Sequence, residues 1–350
     1  MEGLTQKLAD FAVNMTYEDL PPEVSYECKR LLLDSIGCAL AGLATEKGKL
    51  SVALAKRLGG PPESTIIGTQ GKVSSASAAF ANGELINALD YDALLAPVGH
   101  VSPFVIAAPL AIGELVRASG KDLIVAIALS HEIASRVAAG LVTRGRFTKE
   151  VPGKGIMMGF PVQGYGLCIF GGVVGTGKIL GLDRDKMCHA LGISGYICPV
   201  PTLMKFAITV PSAMSKYLSA GWISKAEVIA TLLAEMGYTG DREVLDGEYG
   251  FWKSFASDGW IPEVVTRRLG EDWCLPHSLA YKAYPCCGVM QDALDYFRQI
   301  IEENSLEPDD IEQVKVSLNS LAELPLWQNR QIETHIEAQF SVAYAFAVAA

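Results

Sequence analysis

Asp90, Tyr91 and Asp92 close an apolar run that reads as a helix, and a segment containing Pro97 and Gly99 then brings in His100, ahead of Val101-Ser-Pro103. Carboxylates beside an imidazole are the parts of acid–base chemistry. The ring titrates near neutrality and transfers a proton, while a carboxylate fixes its tautomer or raises its basicity. Taken alone, the same residues also describe a helix C-terminus with solvated acids and a loop histidine. Two lysines could add positive charge. Lys216, in Met214-Ser-Lys-Tyr-Leu-Ser-Ala-Gly221, has helical spacing to Ala213, Ala220 and Ile223. An ammonium on that apolar face is costly without an anionic partner, unless its stem snorkels over the core. Lys282 lies in Tyr281-Lys-Ala-Tyr-Pro-Cys-Cys287, at the end of a run that alternates like a strand, and reads either as an exposed strand lysine or as a second cation. Adjacent Cys286 and Cys287 cannot easily point into one site from a strand and are read as packing residues.

These groups need a scaffold, and most of it reads as helix. Between Glu23 and Ala41 the apolar residues Val24, Cys28, Leu31, Leu32 and Ile36 recur at helical spacing, with Pro22 where a first turn tolerates proline. The same pattern predicts helices over Ser75–Ala88, Phe104–Ser119, Lys121–Ala139, Gly164–Leu180, Arg184–Ile193, Ser212–Gly237 and Glu263–Leu269. Beyond Trp273 the texture changes. His277–Tyr284 and Ile311–Leu318 alternate like strands around a helical Gln291–Asn304. The expected fold is therefore mainly α, with a large all-helical domain over residues 1–270 and a smaller α+β lid domain over residues 271–350. The sequence stops at Ala350 inside the apolar run Phe340–Ala350 without a cap, which suggests that the lid is incomplete at its C-terminus.

Composition bounds the partners. A chain of 350 residues, 50% hydrophobic and 19% charged, can bury a large core in more than one domain. Its net charge of −10 argues against sequence-independent binding of nucleic acid, so an anionic substrate must meet a local cationic pocket. The amphipathic N-terminus lacks a signal-peptide core, and a cytoplasmic setting is expected. The uncharged run Phe160–Gly177 is long enough to span a bilayer, but its Gly content, Pro161 and Gln163 fit a close-packed core helix better, so no membrane partner is expected. Eight cysteines without paired spacing suggest buried free thiols rather than a zinc site or a disulfide framework. Gly172-Val-Val-Gly-Thr-Gly-Lys178 has the spacing of a phosphate loop until Ile179 stands where Ser or Thr is needed. It also falls inside a helix, so nucleotide binding is not expected.

Asn87-Ala-Leu-Asp-Tyr-Asp92, Tyr281-Lys-Ala-Tyr-Pro-Cys-Cys287 and Gln339-Phe-Ser-Val-Ala-Tyr344, in this order and wide spacing, resemble the MmgE/PrpD family. That family contains 2-methylcitrate dehydratases, cis-aconitate decarboxylases and an iminodisuccinate epimerase. The resemblance implies a lyase acting on a small di- or tricarboxylate without metal or organic cofactor, and a homodimer. Dehydration by a hydro-lyase is the first expectation, with decarboxylation or epimerisation as alternatives; a catalytically reduced paralogue that binds a metabolite or only forms an oligomer is the reading from another class.

The resemblance also implies roles. Asp90, Asp92 and His100 match segments that line the family's active site, Lys216 and Lys282 would grip substrate carboxylates, and the Tyr344 hydroxyl would approach from the second domain. Three family histidine positions are replaced: one near Val162 or Gln163, one by Ser219 in the Lys-x-x-His segment, and one by Gln291 after Tyr-Pro-Cys-Cys. Arg144, Arg146, Lys149 and Lys154 could supply replacement cations or form a charged surface loop. His131, His189, His277 and His335 are read as structural.

Overall fold

The computed structural model describes residues 3–142, 149–151, 155–157, 164–199, 203–216, 219–255, 257 and 259–350. Sixteen α-helices occur among them. The first group comprises α1 (Leu4–Asn14), α2 (Pro22–Gly42), α3 (Glu46–Leu58) and α4 (Ser75–Asn87). The middle of the chain forms α5 (Ser102–Val105), α6 (Ala107–Val116), α7 (Gly120–Gly140), α8 (Cys168–Leu180), α9 (Arg184–Ile197), α10 (Leu203–Ile208), α11 (Ala220–Glu235) and α12 (Pro262–Thr266). The last stretch carries α13 (Gln291–Asn304), α14 (Pro325–Gln328), α15 (His335–Phe340) and α16 (Val342–Ala349). The mainly α expectation holds.

Local chemistry sets the helix ends. Pro22 occupies the first turn of α2, where its missing N–H costs nothing. Thr45, Ser74 and Asp183 accept from backbone N–H groups at the starts of α3, α4 and α9, and Ser119 and Asp122 form a reciprocal capping box at α7. The central layer forms where α8 lies against α7 on one side and α11 on another. Glycine makes this approach possible: a Cβ at Gly175 would stand 2.0 Å from Ser130 Oγ, and one at Gly171 would stand 2.2 Å from the Ser130 carbonyl. The Gly-rich run that mimics a phosphate loop is thus the interior of α8, with Lys178 donating to the Val13 carbonyl. Helix α7 is long and apolar enough to cross a membrane, yet 72% of its apolar stretch is buried against neighbouring elements.

Several expected elements differ. Phe104–Ser119 is broken into α5 and α6, and α11 begins only at Ala220, so the segment carrying Lys216 is a turn rather than a helix. Pro211 stands just before it, and Lys216 itself has a left-handed φ of 48° that no helix accommodates. In the last stretch, the strand pattern over His277–Tyr284 reduces to Leu279–Ala280, which pairs with Leu94–Leu95; that strand in turn pairs with Gly99–His100. Ile311–Leu318 runs without a paired strand among the described residues, and Val314 and Val316 remain 38% and 36% exposed. Alternation alone does not make a strand when no neighbour supplies the ladder.

Candidate active site

The C-terminus of α4 and the short three-stranded sheet bring the chemistry together. Helix α4 ends at Asn87, and Asp90 adopts a left-handed φ of 54°, a conformation Asp tolerates better than most residues. This turn buries both Asp90 and Asp92 completely. Pairing of Leu94 with His100 then folds the chain back, so that His100 Nδ1 lies 2.6 Å from Asp92 Oδ2 and its Nε2 lies 3.7 Å from Asp90 Oδ1. Asn87 Nδ2 donates to the other oxygen of Asp92 at 3.2 Å. The second pairing, Leu94 with Ala280, delivers Lys282, whose Nζ donates to the Asp90 carbonyl at 2.5 Å and to Asp90 Oδ2 at 2.7 Å. Lys216 arrives from the turn before α11 and donates to the Asn87 carbonyl at 2.9 Å and to Asp90 Oδ1 at 3.4 Å. Five of the six residues singled out by sequence therefore form one buried cluster, with His100, Lys216 and Lys282 around the Asp90 carboxylate and Asp92 behind His100.

Their charges depend on each other. Burial is the strongest influence on Asp90 and opposes its ionisation, but Lys282, Lys216 and His100 together outweigh it and hold the carboxyl well below the usual range. The lysines respond in opposite directions. Burial disfavours the Lys282 ammonium, yet Asp90 and Asp92 overcome it and raise the group. Lys216 sits farther from Asp90 and faces Lys47 and Lys282, so burial prevails and lowers it to about 8.

Tyr344 is placed elsewhere. It is 43% exposed on α16 and lines a groove with Tyr284, Cys286 and Arg298, while Phe346 takes the buried position of that helix. Ser341 caps α16 by accepting from the Tyr344 N–H, and this fixes which face turns inward. Gln291 is a strap: its amide oxygen accepts from the N–H groups of Ala283 and Tyr284, and its amide nitrogen donates to the carbonyls of Tyr284 and Cys286. It orders the loop that follows Lys282. Val162, Gln163, Arg144, Arg146 and Lys154 lie outside the described residues, as does the side chain of Lys149. His131 is a core residue between Ser102 Oγ and the Ile127 carbonyl, and burial lowers it to about 4; His189 bonds the backbone of Gly240.

Three contributors were not apparent from sequence. Tyr165 sets its ring edge-on to His100, with centroids 5.6 Å apart, and stacks on Phe104. Gln339 donates to the Ala88 carbonyl at 2.8 Å and so ties α15 to the Asp90 turn. Asp34, on α2, accepts from the Ala93 N–H beside Asp92 and Lys282, and its Oδ2 is buried without a hydrogen-bond partner. Burial pushes its carboxyl up to about 6. The signal for Asp34 was an acid between Leu33 and Ser35 on an amphipathic helix, which is indistinguishable from a solvated surface acid without the tertiary fold.

Comparison with known proteins accounts for most of the chain. A profile of the MmgE/PrpD N-terminal domain matches residues 6–262, and one of the MmgE/PrpD C-terminal domain matches residues 284–350. A cis-aconitate decarboxylase of Aspergillus terreus is 28% identical over 370 residues, covering 99% of this chain and 71% of that protein. The Homo sapiens cis-aconitate decarboxylase is 26% identical over 321 residues, covering 89% of this chain and 63% of its own length. The Mus musculus protein of the same name is 26% identical over 292 residues, covering 81% of this chain and 56% of its own length.

Proposed function

The chain belongs to the MmgE/PrpD family, and on that premise we propose that it is a lyase that acts on a small di- or tricarboxylate by moving a proton beside a carboxyl group. The observation that carries this reading is the convergence of Lys216 and Lys282 on Asp90, next to a histidine held by its own carboxylate. Each ammonium carries three donors, of which Lys282 spends two on Asp90. In this reading the two ammonium groups hold a substrate carboxylate by their charge, and they stabilise the charge that grows as a carbon–hydrogen or carbon–carbon bond breaks.

Decarboxylation is the finer assignment we favour, because the relatives are cis-aconitate decarboxylases. The bond to the departing carboxylate breaks, its electron pair passes into the unsaturated carbon skeleton, carbon dioxide leaves, and protonated His100 supplies the new C–H proton from Nε2. Dehydration is the second reading. It is favoured by the Asp92–His100 contact, which orients neutral His100 to take a proton next to a carboxylate. Asp34 then serves as the further group that changes protonation near neutrality.

Incubating the protein in D2O with cis-aconitate, citrate and 2-methylcitrate separates these outcomes. Carbon dioxide release with deuterium appearing in the product supports decarboxylation, and loss of water supports dehydration. No turnover and no deuterium exchange with any of the three would contradict the lyase reading.

A further inference from the structure

A second buried ion pair lies behind Lys216. Glu84, on α4 one turn before Asn87, directs Oε2 toward Lys47 Nζ at 3.1 Å, and the two side chains are 6% and 5% exposed. Its other oxygen accepts from Ser219 Oγ at 2.5 Å and from the Gly221 N–H at 2.8 Å. Ser219 is the N-cap residue of α11 but makes no capping bond to its own helix. The Glu84 carboxylate does so instead, at a helix N-terminus where negative charge is favoured. Gly221 permits the approach, since a Cβ there would stand 2.1 Å from the Phe80 carbonyl.

Burying two charges seldom adds net stability, because desolvation offsets their attraction. The arrangement therefore calls for another role, and Lys216 supplies one. A lysine with φ of 48° is strained and persists only where its surroundings over-determine it. On one side the Lys216 N–H is held by the Ala213 carbonyl, and on the other the chain is anchored at Ser219 and Gly221 by Glu84. Because α4 also presents the Asn87 carbonyl to Lys216 Nζ, one helix fixes both the backbone and the head group of this lysine.

We propose that Glu84 and Lys47 are positioning residues for Lys216: Glu84 sets its turn through Ser219 and Gly221, and Lys47 holds the Glu84 carboxylate in place. The proposal rests on the carboxylate-gripping role assigned to Lys216 but makes a prediction that needs no substrate. The charged groups facing Lys216 are Asp90, Asp92, Lys47 and Lys282, with the Phe340 ring centroid 5.9 Å away. Lys47 is a like charge, so its removal must favour the protonated form of Lys216.

The test is a pH titration followed by NMR of protein labelled at lysine Cε, with the Lys216 signal assigned by its loss in Lys216→Arg. In wild type the signal should titrate near 8, and in Lys47→Met its midpoint should rise by roughly half a pH unit or more. The alkaline limb of turnover should move by the same amount. Ser219→Ala leaves the ion pair intact and removes only one anchor, so it stays folded even if a lone Lys47 or Glu84 is not tolerated. It should raise KM for the substrate carboxylate several-fold. An unmoved Lys216 midpoint in folded Lys47→Met, or wild-type KM in Ser219→Ala, would overturn the proposal. Absence of turnover in wild type would instead sink the lyase reading, and the titration would still decide the positioning role.

Discussion

Asp92 Oδ2 lies 2.6 Å from His100 Nδ1, which decides how the imidazole is presented. A carboxylate accepts, so Nδ1 donates to Asp92 and Nε2 is turned to the side of Asp90, 3.7 Å from its Oδ1, as the ring atom that exchanges a proton with substrate. Replacing Asp92 with Asn keeps the shape but can reverse the tautomer, because an amide can donate. Asp92→Asn is expected to lower kcat by about two orders of magnitude or more with little change in melting temperature. Steady-state kinetics and a thermal scan check this together; unchanged kcat would remove Asp92 from the account.

Asp90 depends on its cations. Lys282→Met leaves a buried carboxylate short of its nearest partner and should destabilise the fold by about 3–5 kcal/mol, as breaking a buried pair does. Because the folded Asp90 carboxyl is depressed, its contribution is present above the unfolded value of about 3.9 and lost as pH falls below it. Lys282 has the opposite sign: raised in the fold, it contributes fully below its unfolded value of about 10.4 and loses that contribution as pH rises further. Urea unfolding of wild type and Lys282→Met at pH 7 tests the main effect, and a difference below about 1 kcal/mol would show that the pair is not coupled as described.

Asp34 runs the other way from Asp90. Its carboxyl is raised to about 6 in the fold, so the folded state holds the proton more tightly than the unfolded chain. That stabilisation is present below about pH 3.9 and disappears as pH climbs through 6. Asp34→Asn removes the dependence while keeping the acceptor for Ala93. The melting-temperature difference between variant and wild type should therefore rise in the variant's favour between about pH 4 and 6 and then level. A flat difference across that window would mean that Asp34 is ionised throughout.

Glu227 tests the packing of the central helices. It is wholly buried on α11, neither carboxyl oxygen has a hydrogen-bond partner, and burial raises the group well above the carboxylate range. Glu227→Met replaces an unsatisfied acid with an apolar chain of similar length, a change expected to be neutral or to stabilise by about 1–3 kcal/mol. The sign is that of Asp34. The proton-linked stability of wild type is present below about 4.3 and declines above it, so the variant's advantage should grow toward alkaline pH. Calorimetry at pH 5 and pH 8 shows whether it does, and a clear loss of stability in Glu227→Met would reveal an unrecognised role for the acid.

How much of this could be read from sequence follows from the range of the interactions involved. Helical periodicity located α2, α4 and α13 to within a residue or so, because their apolar faces are repeated many times. It carried the helix of α11 too far back, since the apolar residues around Lys216 keep the right spacing while the backbone there takes a left-handed turn. Asp90, Asp92 and His100 lie close in the chain and were legible as a group. Lys216 and Lys282 lie 126 and 192 positions from Asp90, and only the resemblance of short segments suggested that they meet it. Glu84 left one signal that could have been used: an acid in the Ala- and Gly-rich run of α4, where every neighbouring residue is buried. Tyr344 shows the opposite risk, because a matching segment did not bring its side chain to the Asp90 cluster.

The central claim is that His100 transfers the proton while Lys216 holds the substrate. Deuterium exchange into a polycarboxylate that wild type turns over, followed by NMR and paired with calorimetric binding, tests it most directly. His100→Asn should suppress exchange and turnover by about two orders of magnitude or more while substrate affinity changes by only a few-fold, whereas Lys216→Met should weaken both binding and turnover. Exchange at the wild-type rate in His100→Asn would contradict the account.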